Sequence, residues 1–199
     1  MKMEKRARAY SPGEAYTVTR EMLRTMGHFP RGKKKNPLGS AFIERLMLAV
    51  SQVNACALCS YMHTAEALKA GLSPEEIQDI LSGSIENVPR QECVAVLFAQ
   101  HYAESKGRPE KASWLRLVES YGQEKALAIL AAIRAIMFGN VFGIPLGSLL
   151  NRIRGKKGQG FSLLYELGLL LLAVPFFLVG SLHALCDLLF GRDPIRFAP

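Results

Sequence analysis

Apolar positions recur along most of the chain at helical intervals, and no stretch shows the sustained alternation of a half-buried strand. The first helix is predicted over 11–29. Ser11, Pro12 and Glu14 form a capping box with proline at the first helical position, and Tyr16, Met22, Leu23 and Met26 give a partial apolar face. Gly27 and Pro30 end it, and a basic loop, 31–37, follows. From Ala41 to Val53, Phe42, Leu46, Ala49, Val50 and Val53 follow the rhythm of a buried helical face. Asn54 and Ala55 interrupt it. Asn is a good N-cap, so Cys56 is expected to open a new helix running to about Lys69 and stopping at Gly71. Ser73, Pro74 and Glu76 repeat the capping-box start, with Ile77, Ile80 and Leu81 facing inward. Further helices are predicted over 92–105, 110–121 and 124–138, separated by Pro89, by Gly107-Arg108-Pro109 and by Gly122. Gly139-Asn140 and Gly143-Ile144-Pro145 predict a kink or turn before a last segment, 146–154. The fold class is all-α.

The last fifty residues change character. Between Leu167 and Leu182 there is no charged residue, and 167–185 is just long enough to cross a bilayer as a helix. Pro175 in its middle is better tolerated there than in a soluble helix. A spanning or deeply inserted helix is therefore expected, with a buried hairpin bent at Pro175 or an oligomer contact as the alternatives. Three regions follow: an N-terminal basic helix and loop, 1–37; a helical domain, 38–154; and an apolar tail, 155–199.

Charge sharpens this picture. The formal net charge of +8 divides into +7 over residues 1–35, −2 over 36–150 and +3 over 151–199. A nucleic-acid reader would carry its positive charge on the folded domain within a recognisable module; none is found. Basic arms beside an apolar segment suit an anionic membrane surface, and a solvated arm is the plainer alternative. Four cysteines without a secretory signal point to a reducing compartment. The expected location is the cytoplasm, with membrane association through the tail.

Candidate chemistry lies in Glu44–His63, where Cys56, Cys59 and His63 share one helical stripe and Glu44 precedes the first cysteine by twelve residues. The thiolate is the nucleophile, and an ordinary cysteine, with a pKa of about 8.5, is mostly protonated at neutral pH. A helix N-terminus at Cys56 favours an anion, and His63 can exchange a proton with either sulfur. A sulfenic acid formed on one cysteine is attacked by the other to give a disulfide. Glu44 becomes a proton acceptor if the break between the helices brings it back. Helix-dipole reasoning makes Cys56 the more acidic thiol, and the residues alone leave the order of the two sulfurs open.

Glu44, Cys56, Cys59 and His63, together with the run Ala70-Gly71-Leu72-Ser73-Pro74-Glu75-Glu76-Ile77, resemble the alkylhydroperoxidase D-like branch of the carboxymuconolactone decarboxylase family over roughly 38–154. The resemblance implies an AhpD-like helical bundle and a homo-oligomer, trimer or hexamer. It implies a dithiol peroxidase reducing a hydroperoxide without a cofactor, regenerated by a thiol or lipoyl-type reductant. Cys59 then attacks, Cys56 resolves, and His63 with Glu44 handles protons. Some peroxidase members carry a further histidine between the cysteines; this chain has Ala57-Leu58, which implies a shorter proton relay. Members that decarboxylate a lactone lack the paired cysteines, so that activity does not carry over. If the tail inserts, a lipid hydroperoxide is the natural substrate.

Two other readings compete. One is a thiol-disulfide oxidoreductase without peroxidase activity; the other is a helical assembly protein whose cysteines and histidine bind metal, although no fourth ligand follows. Elsewhere Cys93 and His101 read as core residues and His28 as a turn residue, and His183 and Cys186 sit near the end of the tail. Tyr61 and Met62 are read as packing or as the lining of a peroxide entrance. Arg134, inside an apolar helix, needs a partner and is expected to find a carboxylate across a subunit contact.

Overall fold

The computed structural model describes residues 6–29 and 38–198, and the basic loop at 31–37 lies outside them. Among the described residues every regular element is helical. The α-helices are α1 (Pro12–Thr25), α2 (Ser40–Asn54), α3 (Ala57–Lys69), α4 (Pro74–Ser82), α5 (Cys93–Glu104), α6 (Lys111–Tyr121), α7 (Gln123–Ile153), α8 (Leu163–Leu171) and α9 (Ala173–Leu189). Short 3-10 turns follow α1 at Met26–His28 and precede α5 at Arg90–Glu92.

Local capping explains the boundaries. Ser11 Oγ accepts the Glu14 N–H at 3.2 Å while the Glu14 carboxylate accepts the Ser11 N–H at 2.8 Å, so the predicted box is made. The helix gives way to a 3-10 turn after Thr25, short of the predicted end. At α4 only half of the predicted box forms: Ser73 Oγ accepts the Glu76 N–H at 3.1 Å. The Glu76 carboxylate turns away to Arg45 at 2.5 Å, and the same guanidinium holds Glu92 at 2.9 Å. This part-buried triad ties α2 to α4 and to the turn before α5; a charged pair with a partner inside the protein outcompetes a solvent-exposed cap.

The helix α7 is the axis of the molecule, with α1, α2, α3, α5, α6 and α8 packed around it. Ile129, Leu130, Ile133, Met137, Val141 and Ile144 are buried along its length. It is apolar enough to cross a membrane, yet 67% of its most apolar stretch is buried in the protein, which makes it a core helix. Of the kink or turn expected at 139–145, the turn does not occur: α7 runs as one helix through Gly139, Gly143 and Pro145. Gly143 and Gly147 lie four residues apart on one face. Their use is close approach: a Cβ at Gly143 would stand 2.7 Å from Cys59 Sγ, and one at Gly147 would stand 3.2 Å from Leu58 Cβ.

Two further expectations are corrected. Arg134 finds its carboxylate within the chain, pairing with Glu21 of α1 at 2.7 Å and donating to Tyr102 Oη at 2.7 Å. Burial raises the Tyr102 pKa. The tail bends by 40° at Leu172, not at Pro175. Pro175 occupies the third position of α9, where a backbone N–H has no intrahelical acceptor, so its missing donor costs little. α8 packs on α7, and α9 lies along α1.

Candidate functional site: a dithiol at a helix start

The site forms where α2 stops and α3 starts. Ala55 adopts a left-handed conformation, φ 52°, and reverses the chain, while the Cys56 N–H donates back to the Ser51 carbonyl at 3.0 Å. Cys56 itself, not Asn54, is the N-cap of α3, its Sγ accepting the Cys59 N–H at 3.3 Å. Asn54 ends α2 as a buried anchor. Its Oδ1 accepts from Arg8 Nη1 at 3.0 Å and its Nδ2 reaches Met137 Sδ at 3.2 Å. Behind the reversal, Ser51 Oγ donates to Asn140 Oδ1 at 3.2 Å. The bend is thus gripped by the N-terminal segment on one side and by α7 on the other.

Cys56 and Cys59 are joined as a disulfide, their Cα atoms 5.3 Å apart. Cys56 is fully buried and Cys59 is 6% exposed, so of the two sulfur-bearing residues only Cys59 has any surface. Gly143 backs both. One turn further along α3, His63 Nδ1 lies 2.8 Å from Glu44 Oε2, with the imidazole 24% and the carboxylate 15% exposed. The four residues singled out from sequence therefore form two pairs, a buried Cys56–Cys59 disulfide and a half-buried imidazole–carboxylate pair whose His63 lies one turn further along α3. Because Glu44 holds Nδ1, the imidazole is left with Nε2 to exchange a proton. Arg45, next to Glu44 in sequence, holds α2 through its two carboxylates.

Tyr61 and Met62 are 77% and 57% exposed, so neither packs in the core. Cys93 donates to the Val88 and Pro89 carbonyls, and His101 Nε2 accepts the Glu110 N–H at 3.1 Å; both are occupied in structure away from the dithiol. No group of three or more His, Cys, Asp or Glu among the described residues is placed to hold a metal ion. Sequence reasoning missed Gly143, Ser51 and Asn140. The Gly143, Gly147 spacing was the available signal for a closely approached helix face.

Fold and site define a helical protein with an oxidisable cysteine pair at the start of one helix and a Glu–His pair beside it. The model of the carboxymuconolactone decarboxylase family matches residues 20–86, about a third of the chain and a segment that contains all four residues, so this segment is similar to that family. The family includes decarboxylases and alkylhydroperoxidase D-like peroxidases. The match starts within α1, ahead of residue 38. The chain is also 25% identical over 136 residues to the uncharacterized protein YdfG of Bacillus subtilis (strain 168), covering 67% of this chain and 92% of that protein. No solved structure matches it significantly.

Proposed function

We propose that the protein is a dithiol peroxidase of the alkylhydroperoxidase D-like type. The observation that carries this reading is the buried Cys56–Cys59 pair with His63, hydrogen-bonded to Glu44, one helical turn beyond Cys59. In the reduced protein the Cys59 thiolate attacks the terminal oxygen of a hydroperoxide. The O–O bond breaks, the alcohol leaves with a proton supplied through His63, and Cys59 becomes a sulfenic acid. The Cys56 sulfur then attacks Cys59, its thiol proton and the sulfenic hydroxyl leave as water, and the disulfide closes. An external dithiol returns two electrons and two protons. One hydroperoxide and two thiols thereby yield one alcohol, one water and one disulfide.

Accessibility supports Cys59 as the attacking sulfur, since Cys56 is fully enclosed. The same enclosure favours a small oxidant over a protein disulfide as the first reactant, because a protein partner needs an exposed sulfur to attack. The test is peroxide consumption with dihydrolipoamide or dithiothreitol as reductant, comparing wild type, Cys59→Ser and Cys56→Ser. Wild type turns over cumene hydroperoxide. Cys59→Ser does not react, and Cys56→Ser reacts once and stops. A wild type inert to hydroperoxide but able to exchange with small disulfides contradicts the peroxidase and leaves an oxidoreductase.

A further inference from the structure

The two tail helices hide their charges and expose their apolar side chains. Between Leu163 and Leu189 the only acids are Glu166 and Asp187, and no lysine or arginine occurs. Both acids point into the protein. Glu166 is fully buried on α7, accepting from Ser148 Oγ at 2.6 Å and pairing with Arg152 at 3.0 Å. Asp187, 1% exposed, accepts from Arg20 Nε at 2.9 Å and pairs with Arg24 of α1 at 3.2 Å and Arg192 at 3.0 Å. Gly180 lets α9 settle onto α1, since a Cβ there would meet Leu23 Cδ1 at 3.1 Å. One carboxylate in each helix therefore clamps the tail to the domain.

What remains outward is an uncharged apolar face on both helices: Leu164 is 83% exposed, Leu171 76%, Leu178 62%, Leu182 65% and Phe190 75%. Exposed leucines and phenylalanines recurring along both helices are not an ordinary solvated surface. The rims of this face are cationic at both ends. Exposed Arg154, Lys156 and Lys157 precede α8, and exposed Arg192 and Arg196 follow α9, while Asp193 is the single exposed acid from residue 151 to 198. A two-fold pairing with a second copy would bring positive rim against positive rim. An anionic surface suits both features at once: acyl chains take the leucines and phenylalanines, and phosphates meet the rims.

We propose that the outer face of α8 and α9 lies in the plane of an anionic phospholipid interface, with the helical domain held on the same side as the chain's C-terminal end. In-plane seating replaces the spanning helix expected from composition, because a span would pull Asp187 away from Arg20 and Arg24 into hydrocarbon. The inference rests on packing and charge and stands whatever the dithiol does.

Flotation of the full chain with sealed vesicles tests it. The protein floats with phosphatidylcholine vesicles containing phosphatidylglycerol, and added salt weakens this binding. Leu178→Asp and Leu182→Asp, both at exposed positions, each lower the bound fraction at least about tenfold with unchanged circular dichroism. On bound protein, the exposed thiol of Cys186 becomes protected from a water-soluble maleimide, and a C-terminal tag stays open to added protease. Four results overturn the proposal: no flotation with anionic vesicles; equal flotation with phosphatidylcholine alone; a protease-protected tag, which means a span; or a soluble dimer that the two Asp variants dissociate, which means self-association.

Discussion

At the residue scale the site depends on what is absent from Gly143. A methyl group there would intrude on both sulfurs, 2.7 Å from Cys59 and 3.2 Å from Cys56. Gly143→Ala is expected to destabilise the oxidised protein by about 1–3 kcal/mol, the usual cost of overpacking. Thermal denaturation of oxidised and reduced protein should show a lowered Tm, and an unchanged Tm in both states would contradict the close packing. The imidazole–carboxylate pair makes a separate prediction. His63→Ala should slow disulfide formation by hydroperoxide by roughly 10²–10⁴-fold, as expected for loss of a general acid–base group. Glu44→Gln should slow it less, because it removes only the group that orients the ring. Stopped-flow tryptophan fluorescence or quenched alkylation reads both rates; wild-type rates in His63→Ala would remove the proton relay. The two cysteines, His63 and Glu44 were legible in sequence because helical spacing and one chain reversal place them. Gly143 was misread as part of a turn because the sulfurs it accommodates lie more than eighty residues away in sequence.

At the scale of elements, caps were read well where they are local and less well where a distant partner competes. Ser11 and Glu14 close their box because Lys106, at 3.0 Å, takes only the second Glu14 oxygen; Glu76 is captured by Arg45 of α2, which no window around Ser73 contains. The tail's apolar composition was equally plain, but its docking on α1 was not. Only the contact with Arg20 and Arg24 explains why Asp187 interrupts a run of leucines. That contact gives α9 a pH dependence. Burial pushes the Asp187 pKa up, but hydrogen bonding from Arg20 and the charges of Arg24 and Arg20 outweigh it, and the net shift is downward. A carboxylate with a depressed folded pKa contributes stability above its unfolded pKa and loses it as pH falls through the folded one. Docking of α9 should therefore be intact at neutral pH and weaken only below the ordinary carboxylate range. Limited proteolysis at residues 155–160 should quicken there, and in Asp187→Asn at neutral pH as well. Cleavage that is indifferent to both would contradict the clamp. A variant that strands the buried arginines is expected to cost about 3–5 kcal/mol.

At the scale of the molecule, a long apolar helix serves as the axis for the helices that carry the dithiol, and the same axis anchors the tail. Arg134 shows how the parts cohere: from the middle of α7 it holds Glu21 of α1, whose neighbour along the helix, Arg24, holds Asp187 of α9. The route from residue to function runs the other way, through α2, the left-handed Ala55 and Cys56 as the cap of α3. On the proposed function, this cap is a redox centre in which Cys59 reacts first. Peptide mass analysis tests it most directly: reduced wild type and Cys56→Ser are each treated with stoichiometric organic hydroperoxide in the presence of dimedone, and free thiols are then alkylated. A Cys56–Cys59 disulfide in the wild type, with a dimedone adduct on Cys59 in the variant, is the predicted result. Both thiols fully alkylated after peroxide, with no adduct, would contradict the account.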